Sequence, residues 1–130
     1  MDGQELIRRY NGGERGFDGV DLRRADLRAA DLAGIDLHEA GLYRAHLSQA
    51  TLAAANLQGA YLHQADLAGA SLRGADLHEA ELGGAELRGA DLEGADLSRA
   101  SLNRAAVTDE QLSRATSVRG ATMPDGTKHE

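Results

Sequence analysis

The sequence predicts an all-β solenoid, and three observations carry the prediction. Leucine recurs every five residues from Leu22 to Leu102, filling all seventeen positions of that frame. Alanine stands two residues ahead of the frame position in sixteen of eighteen cases between 20 and 105, Val20 and Ile35 being the exceptions. Glycine follows the frame position by two at 34, 59, 69, 74, 84, 89 and 94. A helix cannot bury this pattern on one side, because five steps of about 100° advance each Leu by about 140°. A flat strand cannot either, because an odd period sends alternate leucines to opposite faces. A chain that turns a corner every five residues can. Each unit then points Leu and Ala inward, and stacked coils make one continuous apolar column.

The corners are where the glycines belong. The third residue of a type II turn needs positive φ, which Gly supplies without steric cost. Arg24, Arg44, Glu39 and Gln64 hold the same place in their units, and their side chains predict a different turn type there.

Taken in order, residues 2–12 form an N-terminal helical cap. Asp2 and Glu5 have the spacing of a capping box, with Asp in place of Ser or Thr, while Leu6, Ile7 and Tyr10 share a face and Gly12-Gly13 ends the helix. A helix this short is marginal alone. Its apolar face is expected to cover the open end of the column beside Phe17, which is in frame with the leucines and serves as its first, larger plug. Residues 17–107 form the regular coils. Thr108 to Gln111 is a second capping-box signature and starts a short helix over 109–115. Val118 and Met123 resume the period in a frame shifted by one, with Ala121 two ahead of Met123, so 108–126 reads as a C-terminal helix and the last repeat units. Pro124-Asp125-Gly126 is a turn, and 127–130 is expected to be a loose tail. Residues 1–130 make a single domain.

The A-[D/N]-L-x-x tandem, written out as ADLRA, ANLQG, ADLHE and ADLEG, resembles the pentapeptide repeat proteins over about residues 17–107. The N-terminal helix followed by GERGF is similar to the cap of many small cyanobacterial members. The resemblance implies a right-handed quadrilateral β-helix with four units per coil. That gives about five coils and, at about 4.8 Å per coil, a stack about 24 Å tall. DLHEA occurs at 36–40 and again at 76–80, a separation of forty that is compatible with twenty residues per coil. The resemblance also implies two kinds of function. Some members bind bacterial type II topoisomerases such as DNA gyrase by imitating duplex DNA; others regulate differentiation or stress responses in cyanobacteria.

Composition narrows the classes further. The only aromatic residues are Phe17, Tyr10, Tyr43 and Tyr61, too few for an ordinary globular core but enough for a narrow Leu–Ala column. There is no Cys, hence no disulfide framework and no thiolate chemistry. No apolar run approaches the ~20 residues that span a bilayer, and no signal-peptide core is present; a cytoplasmic protein without a membrane role is expected. The net charge of −7 argues against direct nucleic-acid binding through phosphate neutralisation and leaves room for basic protein partners.

Four units per coil sort the outward residues by side. The first side, on Leu22, Leu42, Leu62, Leu82 and Leu102, carries Arg23, Arg24, Arg44 and Arg104 against Asp21 and Glu81, a balance of +2. The fourth side, on Phe17, Leu37, Leu57, Leu77 and Leu97, carries Asp18, Asp36, Glu39, Asp76, Glu79 and Asp96 against Arg99, a balance of −5. Two candidate partner surfaces follow. One is the acidic ladder of Asp36, Asp76 and Asp96 with Glu39 and Glu79, which reads either as a solvated face or as a dock for a basic protein. The other is Tyr43 stacked on His63, with Tyr61 and Arg44 beside them, since Tyr and Arg are favoured at interface hot spots.

No catalytic, cofactor or metal residues are assigned. His38 and His78 share a ladder but stand two coils, about 10 Å, apart, too far for one zinc. The serines have no His base and orienting carboxylate around a pocket, and no phosphate-loop motif is present. The expected function is therefore a non-enzymatic structural or protein-interaction module acting on an unidentified protein partner. A DNA-mimic inhibitor of DNA gyrase is the alternative. The short rod and a C-terminal segment whose only large apolar groups are Val118 and Met123 weigh against that alternative and favour a monomer over a dimer.

Overall fold

The computed structural model describes residues 1–130. Parallel bridges link positions twenty residues apart, so four five-residue units complete one coil. Each unit contributes a single bridging residue before the chain turns, and no extended strand forms. The bridging residues stack in four columns: Gly16–Asp36–Asn56–Asp76–Asp96–Ser117, Asp21–Gly41–Tyr61–Glu81–Ser101–Thr122, Asp26–His46–Asp66–Glu86–Ala106 and Asp31–Thr51–Ser71–Asp91. The first- and fourth-side groupings drawn from the sequence are thus the ones the backbone builds.

The hydrogen bonds repeat with the same step. The N–H of Leu62 donates to the carbonyl of Glu81 at 2.7 Å, that of Gln64 to Gly83 at 2.9 Å, and that of Tyr61 to Ala40 at 2.9 Å, while Ala65 closes the corner on Leu62 at 3.0 Å. In the unit 61–65, four of the five backbone N–H groups are thus satisfied between coils or across the turn. The frame leucines from Leu22 to Leu102 and the alanines from Ala25 to Ala105 line the interior, Leu62 is fully buried, and no polar or charged residue is buried.

The corners correct one expectation. Arg24, Glu39, Arg44 and Gln64 do not use another turn type: their φ values are 62°, 58°, 56° and 56°, beside 71° at Gly34. Only the third residue of each turn has positive φ, the pattern of a type II turn. The reason lies in the stack. Arg44 must present its N–H to the carbonyl of His63 at 3.0 Å, as Gly84 does to Asn103 at 2.9 Å, so the ladder imposes one backbone on every corner whatever side chain stands there.

The helix α1, Gly3–Asn11, closes the N-terminal end. Asp2 accepts from the N–H of Glu5 at 2.8 Å, but the Glu5 carboxylate pairs with Arg8, so only half of the capping box forms. Leu6 is fully buried beside Phe17 in the core, and the Tyr10 hydroxyl donates to the carbonyl of Ala33 at 2.6 Å. Gly3 lies so close to the first coil that a Cβ there would stand 2.2 Å from the carbonyl oxygen of Asp26.

The second helix, α2, is Asp109–Ser113, shorter than the expected 109–115, because Arg114 already returns to the ladder and accepts from Gly94 at 3.0 Å. Its capping box is complete. Gln111 does a second job. Its side-chain amide donates to the carbonyls of Leu87 at 2.7 Å and Ala90 at 3.0 Å. The equivalent carbonyl one coil earlier, that of Ala70, takes the backbone N–H of Asp91, so the Gln111 amide stands in for a missing strand. Stacking then resumes one residue late, Asp96 bridging Ser117 and Ser101 bridging Thr122, which is the frame shift read at Val118 and Met123.

The tail at 127–130, expected to be loose, is paired over its first residues. After the turn at Pro124–Gly126 it runs back antiparallel, with Lys128 bridged to Thr122 and His129 donating to Ala121 at 2.7 Å and accepting from Gly120 at 2.7 Å. The last coil has a free edge of N–H and C=O groups, and this returning segment satisfies part of it. No helix is long and apolar enough to cross a membrane.

Candidate interaction surface

The acidic ladder is built from bridging positions, and those positions have a backbone task. A side-chain oxygen of Asp36 accepts from the N–H of His38 at 3.1 Å, Asp76 from His78 at 3.0 Å, and Asp96 from Ser98 at 2.9 Å; Asn56 does the same for Gln58 at 3.1 Å. This N–H opens each turn and takes no part in the ladder between coils, so a short acceptor two residues earlier satisfies it. The same bond recurs on other sides at Asp21, Asp26, Asp31, Asp66 and Asp91. The frequency of Asp in the repeat therefore follows from turn chemistry. An i to i+2 acceptor spacing was its visible signal in the sequence.

Local partners neutralise part of that acid. Burial pushes the Asp36 carboxyl up, but the bonds from the His38 ring, 2.7 Å away, and from its N–H outweigh it and leave the group below its ordinary range. The same bond to Asp36 raises His38. On the first side Arg23 grips both oxygens of Asp21 at 2.8 Å and holds that carboxyl far below the usual range.

Glu39 and Glu79 differ from the ladder aspartates. Both occupy corners, are exposed, and accept no backbone N–H. With His38, Gln58 and Gly59 they line a shallow groove of about 220 Å³ on the edge between the fourth and first sides. His78 sits at the next level, 2.8 Å from Ser98 Oγ and 3.2 Å from Glu79. No group of three His, Cys, Asp or Glu side chains is arranged to hold a metal ion.

On the first side Tyr43 stands on one coil and Tyr61 and His63 on the next, Tyr43 and His63 at equivalent places in their units. The two are joined through the ladder bond from the Arg44 N–H to the His63 carbonyl at 3.0 Å, and the His63 ring lies 3.9 Å from the Glu81 carboxylate of the following coil. Tyr61 bridges Gly41 and Glu81 and is 49 % exposed. The guanidinium of Arg44 lies 5.3 Å and that of Arg24 5.9 Å from the centre of the Tyr43 ring. The acidic and aromatic sets are not one site: they occupy adjacent sides and meet only at the Glu39–Glu79 edge.

The family model described as pentapeptide repeats matches residues 17–53, 45–82, 55–94 and 75–113, eight copies in all. The structure of alr5209, a pentapeptide repeat protein from Nostoc PCC 7120, is similar at a TM-score of 0.78 and 38% identity, covering 88% of this chain and 93% of that one. Rfr23, a pentapeptide repeat protein of the cyanobacterium Cyanothece 51142, aligns at a TM-score of 0.69 and 32% identity, over 70% of this chain and 76% of that one. QnrB1, a plasmid-mediated fluoroquinolone resistance protein, shares the fold at a TM-score of 0.56 and 22% identity, over 68% of this chain and 49% of that one. No functionally curated protein matches the chain.

Proposed function

The chain belongs to the pentapeptide repeat family, and from that premise we propose that it is a non-enzymatic rod whose flat sides bind another protein. Its coil takes the right-handed quadrilateral form of its relatives. The observation that carries the functional reading is the polarity of the sides on one rigid scaffold: six acidic groups against Arg99 and Arg119 on the fourth, four Arg against Asp21, Glu81 and Asp125 on the first. A pre-formed surface reduces the ordering cost of association, and opposed charges steer and register a partner. The solid Leu–Ala interior, with Leu62, Leu67 and Leu72 fully buried, encloses no chamber for a substrate, where active sites are usually concave.

Affinity capture tests this reading. Because Asp36, Asp76 and Asp96 hold turn N–H groups, the informative bait carries Glu39→Lys with Glu79→Lys, which reverses charge without touching those bonds. A protein recovered by wild type and lost with that double variant identifies the acidic edge as a dock. Specific recovery by neither bait removes the reading. The acidic column also favours the gyrase alternative. Unchanged gyrase supercoiling at high molar excess of the protein removes that one, and inhibition replaces the general reading with it.

A further inference from the structure

We propose that the first side, from Arg24 to Tyr61, docks an acidic segment of a partner protein, its carboxylates taken by Arg24 and Arg44 and its contact area supplied by Tyr43 and Tyr61. This rests on the interaction reading above and names the side and the partner chemistry, opposite in charge to a partner of the acidic ladder.

Three observations converge. Tyr10 and Phe17 are committed to the N-terminal cap, so every aromatic ring left for a surface, Tyr43 and Tyr61, lies on this one side. Between them stands Gly41, bridged to Tyr61 and offering no side chain to cover either ring. Next, the positive charge here is unspent. Arg23 is occupied by Asp21, but no carboxylate of the chain pairs with Arg24 or Arg44. Arg44 gives only its Nε, to Gln64 at 2.7 Å, and its two terminal nitrogens remain free for a carboxylate fork. Both guanidiniums are held near the Tyr43 ring, which favours cations over its face and fixes their positions in advance. Finally, both arginines occupy corners at φ 62° and 56°, where Gly is the unstrained choice and is used at Gly84 in the same column. Side chains placed there against the backbone's preference put two cations on one edge of the aromatic patch.

The corner geometry also supplies a clean variant. Arg24→Gly with Arg44→Gly removes both charges while leaving a residue that the turn prefers, so folding is preserved. Tyr61→Ser removes an exposed ring without disturbing the ladder. The probe is fluorescein-labelled hexaglutamate, read by anisotropy in about 20 mM and 150 mM salt, beside a labelled single-stranded oligonucleotide of the same charge. The molecule's net charge of −7 repels any polyanion, so binding must be local. We expect hexaglutamate to bind wild type and weaken with salt. The Arg double variant should bind at least tenfold more weakly, Tyr61→Ser several-fold more weakly, and Arg99→Gly, a corner arginine of the fourth side, as well as wild type. Absence of binding to wild type at low salt, or equal binding by the Arg double variant, overturns the proposal. Tighter binding of the oligonucleotide overturns it in favour of a nucleic-acid ligand. If hexaglutamate fails while capture still recovers a protein lost with Glu39→Lys/Glu79→Lys, this side is wrong and the interaction reading stands.

Discussion

At Ala54 the backbone turns with φ at 59°, and at Gly34, in the same corner column, with φ at 71° and nothing within 4 Å of a Cβ built there. Space is thus not the issue at either place; conformation is. A left-handed φ costs a non-Gly residue roughly 1–2 kcal/mol, part of which Gly returns through its freer unfolded chain. Ala54→Gly should raise stability by about 0.5 kcal/mol, and Gly34→Ala should lower it by at least as much. Urea midpoints read both, and equal midpoints for the two would mean that the corners tolerate either residue. A second residue-scale outcome concerns His38 and Asp36. His38 is raised above its usual 6.5 by Asp36, so its contribution is full below that value and fades as pH rises through the raised value. Asp36 is lowered below its usual 3.8, burial opposing and the His38 bonds prevailing, so its contribution is present above that value and fades in acid. The pair therefore stabilises most between about pH 4 and 6.5. Between pH 6 and 8 the wild type should lose stability that His38→Gln does not lose, as measured by urea midpoints at each pH.

Caps are where this fold departs from pure repetition. Gln111 completes the α2 capping box and covers the carbonyls of Leu87 and Ala90. Gln111→Ala should cost about 1–2 kcal/mol, the size of a lost cap together with unmade hydrogen bonds. The loss should be local. Amides bonded across the α2 junction, Gly94 and Thr116, should exchange faster while Leu62 stays protected, as in other stacks where neighbours alone share energy. At the other end, Gly3→Ala drives a Cβ into the Asp26 carbonyl oxygen, a backbone atom that cannot swing away. The helix must lift, loosening Leu6 and the bond from Tyr10 to Ala33, and overpacking of this kind costs about 1–3 kcal/mol. Faster tryptic cleavage after Arg8 and Arg9, with the coils intact, is the expected readout.

Across the whole molecule, the frame was legible because one residue type at one period can be buried in only one way, and the charged sides follow once the coil length is known. Both caps were legible from Asp2 and Thr108, and the frame shift from Val118 and Met123. Three features were not. The turn type at Arg24 or Glu39 is imposed by the neighbouring coils, which a local propensity rule does not see. The pairing of 127–129 has no period to announce it. The candidate surface was readable as residues, but that the ladder aspartates serve the turns while Glu39 and Glu79 do not required hydrogen bonds. The inward assignment of the frame itself is open to one decisive substitution. Leu62 is fully buried at mid-column, beneath Leu82 and above Leu42. Leu62→Asp places a carboxylate among aliphatic side chains with no donor to meet it, a burden of several kcal/mol after relaxation, comparable with the roughly 5–15 kcal/mol that holds a domain of this size together. Mid-stack, the damage reaches both neighbouring coils at once, because neither has a core without the other. Leu62→Asp should therefore abolish the cooperative melt and the β-type circular dichroism, while Leu62→Met, which keeps the volume, should cost less than about 1.5 kcal/mol. A Leu62→Asp protein that melts like wild type would place the leucines on the outside and overturn the solenoid.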